Sequence, residues 1–222
     1  LQIVDREKLL TGPKEPTQEN LLFPQIARID LMSGQGAHTT FPMLGVEVAD
    51  LKRTVGDGRR DIVVITNEAI QKQCLEFRQM VLFVDVTHES NPFGVANYSV
   101  PEASGNFCTR GGRFGSHASN EAMTAIYHRR IMFFSWFNAG VRALDVRDPY
   151  RPKEIAYYIP AVTSNTVALE TTKGRREQLK TQGIEILENP VIQTNNVEVD
   201  ERGYIYIVDR ANTGMHILEL TG

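Results

Sequence analysis

The sequence predicts an all-β fold, a β-propeller of four-stranded blades present as two full blades and two partial ones. Three observations carry this expectation. A long phrase recurs: MVLFVDVTHESNPFGVANYSVP at 80–101 is answered by GVRALDVRDPYRPKEIAYYIPA at 140–161. Both copies read as a strand ending in Asp-Val, a polar turn closed by Pro, and a second strand. Shortened copies stand near the two ends, LQIVDR at 1–6 with IARIDL at 26–31, and GMHILEL at 214–220. Between these, apolar residues alternate and turn residues punctuate the runs. A unit that cannot bury both faces alone has to stack on its neighbours.

Taken in order, LQIVDR and IARIDL supply the third and fourth strands of an opening fragment. The Pro-rich, polar stretch TGPKEPTQEN (11–20) reads as a surface loop. The first full unit comprises strands at 38–45, 60–68, 80–86 and 93–100; the second comprises strands at 116–128, 130–138, 140–146 and 154–160. Within the latter, Phe133, Phe134 and Trp136 are expected in the core between blades. The connection 164–189 contains TTKGRREQLKTQG, whose Lys, Arg, Glu, Gln and Leu content suits a short exposed helix. A connection this long reads either as a lid or as a flexible insertion. The final unit offers strands at 194–200, 204–210 and 215–220 and lacks an outer strand. Residues 1–222 thus read as the C-terminal portion of one propeller domain. Rings need about four to eight blades, so the remaining strands are expected from an upstream segment or from a second chain, including a second copy in a homo-oligomer.

Composition narrows the function classes. With 41% hydrophobic and 23% charged residues the chain can build a packed core, and it has no disordered character. A formal net charge of −3 gives no general attraction to nucleic acid or an anionic membrane. No apolar run approaches the roughly 20 residues of a membrane span. Neither a Gly-x-Ser-x-Gly elbow nor an HExxH pair occurs, which disfavours covalent serine chemistry and zincin chemistry.

Propeller geometry predicts where polar residues converge. The innermost strand of each blade runs antiparallel to the second, so the start of one and the end of the other share a face. The starts are His38, His117 and Asn195; the ends are Asn67-Glu68, Phe137-Asn138 and Asp209-Arg210. His38 and His117 are therefore candidate ligands for a divalent transition metal, with Glu68 as third ligand or general base. Glu121, an even number of strand positions past His117, is a candidate to orient its imidazole. Arg110 and Arg113, in the glycine-rich turn TRGGRFG, suit a carboxylate or phosphate, and Asn138, Asn195 and Arg210 complete the candidate ligand-binding set. The sequence leaves a second reading open, in which these groups only bond adjacent blades. Cys74 and Cys108 fall in connections that emerge on the same face and predict a disulfide, hence an oxidising, extracytoplasmic compartment.

The segments VVITNEAI (63–70), FCTRGGRFGSH (107–117), WFNAGVRALDVRDPYRPKEIAYYIP (136–160) and IQTNNVEVDERGYIYIVDR (192–210) together resemble the LVIVD repeat proteins. The third segment carries the strand-turn-strand typical of that family, and the resemblance extends over almost the whole chain. It implies a β-propeller exported from a prokaryotic cell, and supplies no agreed reaction. One departure from the pattern is Asn120, where relatives often carry a second histidine. Two function classes follow: a metal-dependent enzyme acting on a small molecule, or an extracellular scaffold whose loops bind a protein or a glycan.

Overall fold

The computed structural model of the protein describes residues 1–51 and 57–221. The chain is mostly β-structure, arranged as small antiparallel sheets. Strands β1 (Gln2–Val4) and β2 (Gln25–Arg28) form a pair. Strands β3 (Ala37–Glu47), β4 (Arg59–Asn67), β5 (Val81–Asp85) and β6 (Phe93–Tyr98) form a four-stranded meander in chain order. Strands β7 (Ile131–Ser135), β8 (Val141–Asp145) and β9 (Lys153–Tyr158) form a third sheet. The last sheet comprises β10 (Thr194–Val199), β11 (Tyr204–Asp209) and β12 (Met215–Glu219).

The sheets stack in chain order because the middle strands are apolar on both faces. Successive strand side chains point to opposite faces. In β7, Met132 and Phe134, followed by Trp136, join a core with Phe41, Met43, Ile62, Val64 and Phe83 of the four-stranded sheet. Phe133 points the other way, into a core with Val197, Val199, Ile205 and Ile207 of the last sheet. In β4 and β5, Ile65 and Val84 face a third core, against which Leu1 and Ile3 pack. The three aromatics of 133–136 thus lie between sheets, as their sequence context predicts. Trp136 is fully buried and meets Tyr98 edge-on, with ring centroids 5.6 Å apart. Each large apolar side chain so buried contributes about 1.5–3 kcal/mol.

Two expected elements differ. The strand expected at 116–128 forms only at its start. His117 N–H donates to the Ser135 carbonyl (3.1 Å), Ser135 N–H to Ala118 (2.9 Å), and Asn120 N–H to Phe133 (3.0 Å), so 117–120 lies beside β7. Beyond it the amides of Glu121 and Ala122 are captured by the Glu198 carboxylate. The chain then turns, with Thr124 O accepting from the N–H groups of Tyr127 and His128. A side-chain carboxylate from the neighbouring sheet has replaced the strand partner these amides would need.

The second difference lies near the N-terminus, where 11–20 is not simply a loop. Helix α1 (Arg6–Thr11) starts where the Asp5 carboxylate caps Lys8 N–H, which also ends β1 at Val4. Helix α2 (Gln18–Leu22) starts where Thr17 Oγ1 accepts from Asn20 N–H. Asp and Thr compete for backbone donors in this way at helix starts, and neither helix buries a residue. Helix α3 (Lys173–Thr181) forms where the sequence predicts one and buries Leu179.

The hairpin between β7 and β8 is closed by Gly140, with φ of +79°. A Cβ there would fall 2.1 Å from the Tyr158 carbonyl oxygen. Gly140→Ala is therefore expected to destabilise the protein by at least about 2 kcal/mol, measured as a lowered denaturant midpoint with unchanged slope; an unaltered midpoint would mean that this turn is not held as described.

Candidate metal centre

Three separate chain segments deliver the site. His38 stands near the start of β3, Glu68 just past the end of β4, and His117 at the start of the segment 117–120 beside β7. One ligand atom from each of the three lies within 4.8 Å of the others. The imidazole rings of His38 and His117 are 4.3 Å apart, centroid to centroid. His117 Nε2 is 3.7 Å from Glu68 Oε1.

His117 is buried, and its ring is fixed. Its Nδ1 lies 2.6 Å from the Asn195 carbonyl oxygen, which can only accept, so Nδ1 carries the proton. The lone pair is then on Nε2, the atom facing Glu68. Burial holds the His117 pKa below its ordinary value, opposed by the Asn195 hydrogen bond and reinforced by His38 and Arg210. The imidazole is accordingly neutral at pH 7, the form that binds a metal. His38 is exposed, with Nδ1 2.9 Å from Thr39 Oγ1. The site therefore has one fixed wall and one side open to solvent.

Glu68 is the electrostatic hub. Its Oε1 accepts from Arg113 Nη1 at 3.1 Å and lies 3.8 Å from Arg210 Nη1. Both guanidiniums stand over the Phe137 ring, at 5.4 and 5.5 Å from its centroid, and the same ring lies 5.1 Å from that of His117. Burial, then the neighbouring charge of Arg210, lowers the pKa of Arg113, while Glu68 raises it. The guanidinium stays charged all the same.

The glycine-rich turn is held from several directions. Arg113 N–H donates to Gln193 Oε1 (2.9 Å), and Gln73 N–H donates to the Gly112 carbonyl (2.9 Å). Gly112 has φ of +70°, and a Cβ there would fall 2.5 Å from Gln193 Nε2, so the close approach requires glycine. A disulfide joins Cys74 to Cys108, as the sequence predicts, and ties this turn to the 69–79 connection. Among the described residues no helix is long and apolar enough to cross a membrane.

Several sequence candidates lie elsewhere. Glu121 is exposed and sits by Glu198; the acceptor that orients His117 is the Asn195 backbone carbonyl. Asn138 is fully buried and donates to Phe107 O (2.8 Å) and Gly111 O (2.9 Å), which pins the turn from beneath. Arg110 donates to the Asn138 carbonyl and stacks on Phe107, 4.7 Å from its centroid, so it braces the same turn. Asn195 contributes through its main chain, which also accepts from Ser135 Oγ at 2.6 Å. Asn120, also buried, accepts from Phe133 N–H at 2.8 Å. Phe137, read from the sequence only as a strand-end position, floors the arginine pair, and Gln193, which sequence reasoning did not single out, holds the Arg113 backbone. A turn aromatic and a strand-start glutamine carry no motif.

No protein-family model matches the chain, and no curated protein matches it.

The Cys74–Cys108 bridge closes a loop with a sequence separation of 34. Chain-entropy reasoning gives it about 3–4 kcal/mol of stabilisation. Titration in denaturant without reductant is expected to find no reactive thiol, and Cys74→Ala/Cys108→Ala to lower unfolding stability by that amount. Two titratable thiols in the untreated protein would contradict the bridge.

Proposed function

We propose that the protein binds one divalent transition metal through His38, Glu68 and His117 and uses it on a small molecule. In this reading the stacked sheets belong to an exported β-propeller of the LVIVD type, with the site at one mouth of its channel. The remaining strands of the ring come from outside this sequence or from a second copy. Support for the propeller comes from the four-stranded meander, the chain-order stacking and the internal repeat; support for export comes from the disulfide.

The single observation that carries the metal reading is the fixed tautomer of His117. An imidazole with Nδ1 bonded to a carbonyl and Nε2 facing a carboxylate and a second imidazole is oriented as a ligand before any metal arrives. The separations also fit. A four-coordinate ion with bonds of about 2.0–2.2 Å needs ligand atoms about 3.3–3.6 Å apart. The 3.7 Å between His117 and Glu68 already meets this closely, and exposed His38 is free to close the remainder. Two imidazoles and a carboxylate leave a fourth position open, the pattern of catalytic rather than structural zinc sites.

When bound, the metal would supply Lewis acidity at that open position. The chain's own residues do the rest. His117 stays neutral and immobile; His38 borders solvent and admits the reactant. Glu68 supplies the carboxylate ligand, held at Oε1 by Arg113. Phe137 covers one side and limits water beneath the arginines.

Zinc titration of metal-stripped protein by calorimetry, paired with elemental analysis, tests this. One equivalent per chain is expected, with binding abolished in His117→Ala and weakened at least about tenfold in Glu68→Gln. Folded wild-type protein that takes up no transition metal would overturn the reading.

A further inference from the structure

Two arginines at this site compete for one carboxylate oxygen, Glu68 Oε1. The other acids nearby are committed elsewhere. The Asp209 carboxylate accepts from the backbone N–H groups of Gln193, Ala211 and Thr213. Glu76 accepts from Ile70 and Gln71 N–H, both at 2.8 Å, and reaches Arg113 only through space. With a metal bound, the single carboxylate of Glu68 would face a divalent ion as well as the guanidiniums of Arg113 and Arg210, so positive charge at the site exceeds negative. That surplus of positive charge calls for an anionic ligand.

The surface beneath the pair is held in an unusual conformation. Phe137 has φ of +29°, in a region that bulky residues rarely adopt. This places its ring under both guanidiniums and beside His117. Arg113 also lines a cavity of about 320 Å³ between the 70–75 and 164–189 connections. Leu75, Leu179 and Ile186 form apolar parts of its wall, and Lys72 and Arg175 add cationic ones beside a single acid, Glu170. Lys72 Nζ is already donated to the Leu169 carbonyl and to Thr171 Oγ1, which fastens the 164–189 connection over the cavity. The volume suits the body of a small organic molecule.

We propose that the ligand taken at this site is a small carboxylate with an apolar body, its carboxylate bridging Arg113 and Arg210 above Phe137 and its body lying in the cavity beneath the 164–189 connection. The proposal rests on the metal reading for the identity of the site, and names the class of molecule that site acts upon. Planar guanidiniums match a carboxylate in a bidentate manner. Phosphate fits less well: the Arg113 amide of the glycine-rich turn is already donated to Gln193, and phosphate has no apolar body to cover Ile70, Leu75, Leu179 and Ile186 of the cavity wall.

Hexanoate is the probe, titrated calorimetrically into the zinc-loaded protein beside its uncharged analogue hexanamide and inorganic phosphate. Hexanoate is expected to bind at one per chain, at least about tenfold tighter than either. Arg210→Gln should weaken hexanoate about tenfold while the zinc stoichiometry stays at one. Arg210 is chosen because Arg113 also donates to the Ala69 carbonyl and so helps hold the fold; near-ultraviolet circular dichroism checks that the variant is folded. Equal affinity for hexanoate and hexanamide, absence of hexanoate binding, or indifference to Arg210→Gln would overturn the proposal, and tighter phosphate would overturn the carboxylate class. Hexanoate binding that depends on Arg210 in a protein that takes no zinc supports the arginine clamp and contradicts the metal reading alone.

Discussion

The structure depends on how residues 113–120 are bonded on both sides at once. On one side Ser116 Oγ donates to the Asn67 carbonyl (2.8 Å) and Ala69 N–H donates back to Ser116 O (3.0 Å). On the other, His117 N–H reaches Ser135, and Ser135 Oγ together with His117 Nδ1 converges on the Asn195 carbonyl. Three sheets are therefore stitched through one short segment. A slip of one residue would turn every side chain to the opposite face, and His117 would leave Glu68. The backbone bonds that stack the sheets are the same bonds that assemble the site.

This coupling explains why so many polar groups near the site are structural. Asn138, Arg110, Asn120 and Gln193 each satisfy backbone groups in a region that lacks a regular strand partner. Buried main-chain groups left unpaired cost about 1–3 kcal/mol each, so such a junction recruits side chains to replace the ladder. What remains after that accounting is small: His38, Glu68, Arg113, His117 and Arg210, over Phe137. His38 comes from the start of β3, and Glu68 and Arg113 come from two connections that the Cys74–Cys108 disulfide holds together.

Much of this was legible in the residues. Alternation and the Asp-Val turns located the strands of the four-stranded sheet, because both faces of each middle strand bury apolar side chains and so leave a clear apolar run. The rule that the start of one strand and the end of the next share a face brought residues 38, 68 and 117 together. Turn placement was enough to pair Cys74 with Cys108. Other features were hidden for physical reasons. The break after Asn120 is caused by a carboxylate from another sheet, Glu198, which no local pattern reveals. The partner that fixes His117 is a main-chain carbonyl, and any residue type at 195 supplies one. The helices at 6–11 and 18–22 arise from single capping side chains, Asp5 and Thr17, inside a stretch whose prolines and polar residues read as loop.

The proposed ligand set of a single ion is two imidazoles and one carboxylate, with no sulfur. X-ray absorption at the zinc K-edge of the zinc-loaded protein tests it most directly. A nitrogen and oxygen shell at about 2.0–2.1 Å with the outer-shell scattering of two imidazoles is expected. A sulfur shell at about 2.3 Å, or a spectrum without imidazole scattering, would contradict it.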